Sequence, residues 1–138
     1  INIIAPTILC RKFINEYLGI KKLIINISSG AANNAIASWN VYCASKSALD
    51  MLTKVIDKEK HNQLKIVSVY PGIVNTNMQK TIRTTKSKLF PEIDKFRLYH
   101  LNNELECIDV VAKKLFYIIE NISSFNNNII SIRDINIK

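Results

Sequence analysis

Two kinds of hydrophobic pattern alternate along this chain. Short apolar runs, Leu23–Ile27 and Ile66–Tyr70, have the continuity expected of strands buried on both faces of a parallel sheet. Between them, apolar residues recur every three or four positions. From Pro6 to Leu18, Ile8, Leu9, Phe13 and Leu18 are separated by Arg11, Lys12 and Glu16, which predicts an amphipathic helix ended by Gly19. Asn40–Lys58 predicts a longer helix, capped by Ser38 or Asn40, with an apolar stripe of Val41, Ala44, Ala48, Leu52 and Val55. Tyr42 and Lys46 fall off that stripe, free to face a cleft. Asp109–Glu120 predicts a third helix with Val111, Leu115, Phe116 and Ile119 inward, followed through Asn126-Asn127-Asn128 by a last strand, Ile129–Ile132.

The remaining segments, the loop Gly30–Ser38 and the long stretch Asn75–Asn102, have no strand signal. The latter spreads Met78, Ile82, Leu89, Phe90, Ile93, Phe96 and Leu98 among six basic and two acidic residues. A long irregular segment following a strand-end turn is where a substrate lid is expected, with a pair of surface helices as the alternative. The order strand, helix, strand, long segment, helix, strand predicts an α/β domain with right-handed crossovers. No repeat and no second domain is visible.

Composition narrows the function. The chain has 138 residues, 48% of them apolar, and a net charge of +8. Its Lys and Arg are scattered among Asn and Ile rather than gathered with aromatics on one element, which argues against nucleic-acid binding and for the compositional bias of an AT-rich genome. Cys10, Cys43 and Cys107 are odd in number and widely spaced, so neither a disulfide framework nor a zinc site is expected, and a reducing cytoplasm fits. Cys43 reads as a small buried helical residue. His61 and His100 lack metal-ligand spacing and read as solvated. No apolar run approaches the ~18 residues that span a bilayer, and no basic-then-apolar leader is seen. Of two glycosylation sequons, Asn26-Ile27-Ser28 lies in a strand expected to be buried.

Candidate chemistry rests on Asn2, Ser29, Tyr42 and Lys46, separated by 27, 13 and 4 residues. A free Tyr, with a pKa of about 10, is a poor proton donor near neutrality unless its phenolate is stabilised. Residues four apart on a helix lie one above the other, so Lys46 can set its ammonium beside the Tyr42 ring. Ser29 follows the Leu23–Ile27 strand, at the carboxyl edge where open α/β sheets bind ligands, and a hydroxyl there can hold a substrate oxygen. A Tyr followed four residues later by Lys is common by chance. Tyr17/Lys21 is a second instance, with Ile4 rather than Ser thirteen residues upstream. What makes Tyr42 specific is its company: Ser29, the small residues Cys43-Ala44-Ser45, and downstream Val69-Tyr70-Pro71-Gly72-Ile73-Val74-Asn75-Thr76.

These residues resemble the C-terminal half of a short-chain dehydrogenase/reductase with a Tyr-x-x-x-Lys centre. The resemblance implies a partial Rossmann-type, doubly wound parallel sheet lacking its N-terminal strands. It also implies roles: Tyr42 as general acid/base, Lys46 lowering its pKa and bonding the nicotinamide ribose, Ser29 polarising the substrate carbonyl, and Asn2 holding a relay water. Pro71, Gly72, Val74 and Thr76 match the family's loop at the nicotinamide end of the cofactor. Trp39–Met51 and Asn75-Thr76-Asn77-Met78-Gln79 are most similar to the sepiapterin reductase and benzil reductase branch, with Asn75 where Asp is usual. That branch implies NADP ahead of NAD, a small carbonyl substrate, a homodimer or homotetramer, and Asp134 as an anchor for a pterin. Trp39, three residues before Tyr42, reads as a core residue that could pack over the cleft.

The family's Gly-rich first turn has no counterpart, because the only glycines are Gly19, Gly30 and Gly72. The chain therefore reads as a fragment, residues 1–138 forming the C-terminal part of one domain with a lid over 75–102, from a truncated record or a broken gene. The expected activity is reduction of a carbonyl to a secondary alcohol. A non-catalytic remnant unable to bind a dinucleotide and a ketoacyl-thioester reductase are the alternatives. Without the preceding strands, Leu23–Ile27 is expected to be an unpaired, aggregation-prone edge.

Overall fold

Three parallel strands form the centre of the protein, which is described for residues 1–137 by a computed structural model. β1 (Lys22–Ile27), β2 (Leu64–Tyr70) and β3 (Ile129–Ser131) lie in the order β1-β2-β3, with Ile24 opposite Ile66 and Val69 opposite Ile130. β2 is central and buried on both faces. Ile66 and Ser68 point to one side, Val67 and Val69 to the other, as the two-residue period of a strand requires. β1 lies at the edge, as expected.

Helices cover both faces, the doubly wound arrangement. α1 (Ile4–Glu16) and α2 (Asn40–Lys58) pack on the Ile66 side, where Cys10, Ile14, Ile56 and Ile66 form one core. α5 (Ile108–Glu120) packs on the other side through Val111 and Ile118, against Val67, Val69 and Ile130. Gly19, with φ +78, turns the chain between α1 and β1 in a left-handed conformation that suits glycine. Lys22 is buried, and its ammonium donates to the Ile14 carbonyl (3.1 Å), closing the carboxyl end of α1.

The buried stripes of the helices differ from those predicted. α2 has the predicted bounds, yet its inner face is Ser45, Leu49, Asp50, Thr53 and Ile56, while Val41 is 77% exposed and Val55 is also exposed. The polar members of that face have partners. Asn26 donates to Thr53 (2.9 Å), Thr53 and Ser68 share a hydrogen bond (2.9 Å), and Asn2 donates to Ser45 (3.3 Å). A buried hydroxyl with a partner costs little, so sequence polarity misplaces the stripe. In α1, likewise, Ile8 and Leu9 are exposed while Cys10 and Ile14 are buried, Leu18 lies beyond the helix and is exposed, and in α5 Phe116 and Ile119 are exposed. Of the two proposed caps, Ser38 adopts φ +67 and Trp39 holds the cap position without a side-chain bond, while Asn40 Oδ1 accepts from the Val41 amide in the first turn (2.8 Å).

Asn75–Asn102 is largely helical. α3 (Asn77–Thr84) and α4 (Ile93–Leu101) pack on one another around Ile82, Phe90, Ile93 and Phe96, with Ile36, Trp39 and Tyr99 against them. Glu92 accepts from the Ala37 amide (2.9 Å), tying this pair to the loop before α2. No helix among the described residues is long and apolar enough to cross a membrane.

Candidate active site

The carboxyl ends of β1 and β2, the start of α2 and the α3/α4 pair enclose a cleft of about 700 Å³. Ser29, Tyr42, Lys46, Pro71, Gly72, Val74 and Thr76 all line it. Asn2 and Asp134 do not, although Ser131 and Arg133, on either side of Ile132, do.

Each lining group is positioned by local structure. Where β1 ends, Ser29 has an extended backbone and begins a short 3-10 turn, Gly30–Ala32. Its Oγ accepts from the Ala31 amide (3.2 Å), which occupies a lone pair and leaves the hydroxyl proton available to a substrate oxygen. Tyr42 and Lys46 are one turn apart on α2. The Lys46 Nζ lies 5.8 Å from the centroid of the Tyr42 ring and donates to the Ile27 carbonyl (2.8 Å). On its other side the ring meets Trp39 edge to face, centroids 5.2 Å apart. Burial pushes the Lys46 ammonium below the ordinary lysine pKa, and the Asp50 carboxylate pushes it partly back.

Asn2 sits just ahead of α1, and its amide reaches Ser45 rather than the cleft. Ser45 in turn donates to the Tyr42 carbonyl (2.8 Å), so Asn2 touches the centre through the α2 backbone. Trp39 belongs to both the core and the cleft: it stacks on Phe90 (5.4 Å, 15°), contacts Phe96 (5.3 Å) and lines the cavity.

Gly72 is at φ +74, a region that L side chains rarely adopt. A Cβ built there would come within 3.3 Å of the Arg133 Nε, so glycine keeps this rim of the cleft open. That opening, with Tyr42 and Lys46 across from it, fits the nicotinamide-ribose end of a dinucleotide. The three glycines present form no phosphate-binding turn.

Several lining residues were assigned no chemistry by their motifs. Ile36, Trp39, Met78, Phe96 and Tyr99 make an apolar and aromatic wall, while Glu92, Lys95 and Arg133 bring charge. The most telling is Tyr70, whose hydroxyl donates to the Asp50 carboxylate and accepts from the Asn33 amide (3.0 Å). Burial and Asp50 push its phenol well above the ordinary tyrosine pKa. The available signals were Asp50 lying four residues after Lys46 and Tyr70 standing directly before Pro71-Gly72.

Strands ending beneath a hydroxyl, a phenol and an ammonium define the short-chain dehydrogenase class, and the chain belongs to that family, whose family model matches residues 1–87. Among its relatives, the benzil reductase ((S)-benzoin forming) of Bacillus subtilis is 34% identical over 125 residues, covering 87% of this chain and 51% of that protein. The sepiapterin reductase of Rattus norvegicus is 38% identical over 104 residues, covering 74% and 38%. The crystal structure of the KRED1-Pglu enzyme superposes with a TM-score of 0.79 at 25% identity, over 92% of this chain and 52% of that one. The chain thus spans about half the length, or less, of the relatives it matches.

Proposed function

We propose that this chain carries the proton-handling half of an oxidoreductase that reduces a small carbonyl compound to a secondary alcohol, in the manner of the benzil and sepiapterin reductases. One observation carries the reading: Ser29, Tyr42 and Lys46 open on the same cleft as Pro71 and Gly72. A nicotinamide dinucleotide, when bound, supplies the hydride. NADP is assigned ahead of NAD on the resemblance to those reductases.

The chain's own residues handle position and protons. Ser29 donates its hydroxyl proton to the substrate oxygen and fixes that oxygen beside Tyr42. Tyr42 delivers its proton to the oxygen as negative charge develops there, and the Lys46 ammonium offsets the charge left on the phenol. The resemblance gives Asn2 a relay water that restores the proton; its side chain, through Ser45, braces the Tyr42 backbone at the start of α2. Tyr42, Lys46, Pro71, Gly72, Val74 and Thr76 hold the nicotinamide end of the cofactor. α3 and α4, within 75–102, serve as the substrate lid.

The wall of Ile36, Trp39, Met78 and Phe96 favours an aryl or otherwise apolar carbonyl compound. Asp134 is exposed and off the cleft, and the adjoining lining residue is the cationic Arg133, which favours a benzil-like over a pterin-like substrate. Exposed Ile4 and Ile8 on α1, with Val41 and Met51 on α2, support self-association as a homodimer or homotetramer. Three unpaired thiols suit the cytoplasm.

A second reading is a non-catalytic chain that keeps the centre but does not hold a dinucleotide. Titrating the chain with NADPH while following Trp39 fluorescence separates the two. Quenching at micromolar cofactor, with consumption of NADPH on adding benzil, supports the enzyme. Unchanged fluorescence at millimolar cofactor establishes the non-catalytic chain. A substrate panel of benzil, sepiapterin and a ketoacyl thioester then separates the branches.

A further inference from the structure

Behind the Tyr42/Lys46 pair stands a second group of ionisable side chains to which the proposed chemistry assigns no task. Asp50 is one helical turn beyond Lys46 on α2 and only 4% exposed. One carboxylate oxygen receives the Tyr70 hydroxyl, which the Asn33 amide holds from the loop side (3.0 Å). The other, Oδ1, is buried without a hydrogen-bond partner. Among the described residues Asp50 forms no ion pair within 4.0 Å. A buried carboxylate is strongly disfavoured unless nearby positive charge or donors offset its desolvation. One turn before it on α2 stands the half-buried Lys46 ammonium, which lines the cleft, whereas Lys54, one turn after it, is exposed to solvent.

We propose that Asp50 is a positioning residue for Lys46: its buried carboxylate, clamped by the Tyr70 hydroxyl, is the fixed counter-charge that keeps the ammonium protonated and set toward the cleft. The clamp matters because a free carboxylate could rotate outward to solvent, whereas Tyr70 on β2 ties this one to the sheet. A partly buried lysine loses its proton more readily as its surroundings dry. Asp50 opposes that loss while Lys46 keeps its hydrogen bond to the Ile27 carbonyl. The other ionisable groups on the cleft walls are Tyr42 on α2, Lys95 and Tyr99 on α4, Glu92 before α4, and Arg133 after β3. Of these, Glu92 carries the one carboxylate, and it is engaged by the Ala37 amide (2.9 Å). This inference rests on Lys46 being the partner of Tyr42 in the proposed function.

Competitive labelling of the whole chain with acetic anhydride across pH 7–11, read by peptide mass spectrometry, tests it without substrate or cofactor. Exposed Lys113, on α5 across the sheet, serves as internal reference. In Asp50→Asn the labelling midpoint of Lys46 is expected to fall by about one pH unit while Lys113 is unchanged, making Lys46 about ten-fold more reactive below its midpoint. Tyr70→Phe should shift it the same way by less. An unchanged Lys46 midpoint in folded Asp50→Asn overturns the proposal and leaves Asp50 as a structural tie between α2 and β2. If circular dichroism shows Asp50→Asn unfolded, Tyr70→Phe decides, and an unchanged midpoint there overturns it equally. Because the label reads Lys46 directly, absence of turnover would defeat the functional reading without touching this result.

Discussion

Tyr42 and Tyr70 both line the cleft, but Tyr42 packs between the edge of Trp39 and the ammonium of Lys46, whereas Tyr70 gives its hydroxyl to buried Asp50. A phenol bonded to an anion is held in its neutral, donating form, and burial beside Asp50 does this to Tyr70. The two residues are chemically alike, but their charged neighbours, both drawn from α2, are opposite in sign, and under the proposed function that difference assigns the acid's role to Tyr42. Tyr70 becomes part of the scaffold behind the lysine.

The sharpest way to break this comparison is to remove each hydroxyl in turn. In the active protein, Tyr42→Phe should cut turnover by about 10²–10⁴-fold while NADPH still quenches Trp39 fluorescence. Tyr70→Phe should keep turnover within about ten-fold of the parent. Equal losses in steady-state assays would show that the neighbours do not sort the two roles.

Trp39→Ala attacks the Tyr42 side alone. It removes the indole that stacks on Phe90, contacts Phe96 and flanks the Tyr42 ring, so α3 and α4 lose their hold on α2. Truncating a large aromatic in such a cluster costs about 3 kcal/mol, seen as a lower thermal midpoint by circular dichroism, with faster amide exchange in α4 than in β2. Uniformly faster exchange would mean that the helix pair is not a separable cover.

Gly72→Ala probes the Tyr70 side, two residues along the chain. The left-handed backbone penalises any Cβ by about 1–2 kcal/mol, and the new methyl meets the flexible Arg133 side chain. Weaker NADPH binding with a modest drop in melting temperature is expected. A variant as stable as the parent, with unchanged binding, would remove Gly72 from the rim's design.

How much of this was legible differs between the two tyrosines for a physical reason. Tyr42 belongs to a local pattern: Lys46 is one helical turn away, Ser29 follows an apolar run, and α2 keeps the predicted bounds Asn40–Lys58. Tyr70 is defined by Asp50 and Asn33, which reach it across the fold, and no spacing rule joins them. The same limit misplaced the inner face of α2. Ser45, Asp50 and Thr53 look solvent-facing until the partners Asn2, Tyr70 and Ser68 are brought in from other elements. α3 and α4, 8 and 9 residues long, are too short for periodicity to announce, and their aromatic partner Trp39 lies before α2.

The smallest effect offers the subtlest test, because it follows the Tyr70 proton itself. Below pH of about 10 the phenol is neutral whether the chain is folded or unfolded. Above that, the unfolded chain releases the proton while the folded one, with its pKa raised by burial and Asp50, retains it. Stability associated with Tyr70 is thus fully present below the unfolded pKa and is lost as pH rises from there toward the folded value. Lys46 acts with the opposite sign: its folded pKa is lowered, so the cost of burying its charge is relieved as pH rises through that value. The lower Lys46 midpoint expected in Tyr70→Phe enlarges that relief, so it acts in the same direction as removal of the Tyr70 proton. Tyr70→Phe should therefore melt lower than the parent at pH 8 yet lose less of its melting temperature between pH 9.5 and 11. Parallel curves over that interval would mean that Asp50 does not hold the Tyr70 proton, and the contrast between the two phenols would lose its chemical basis.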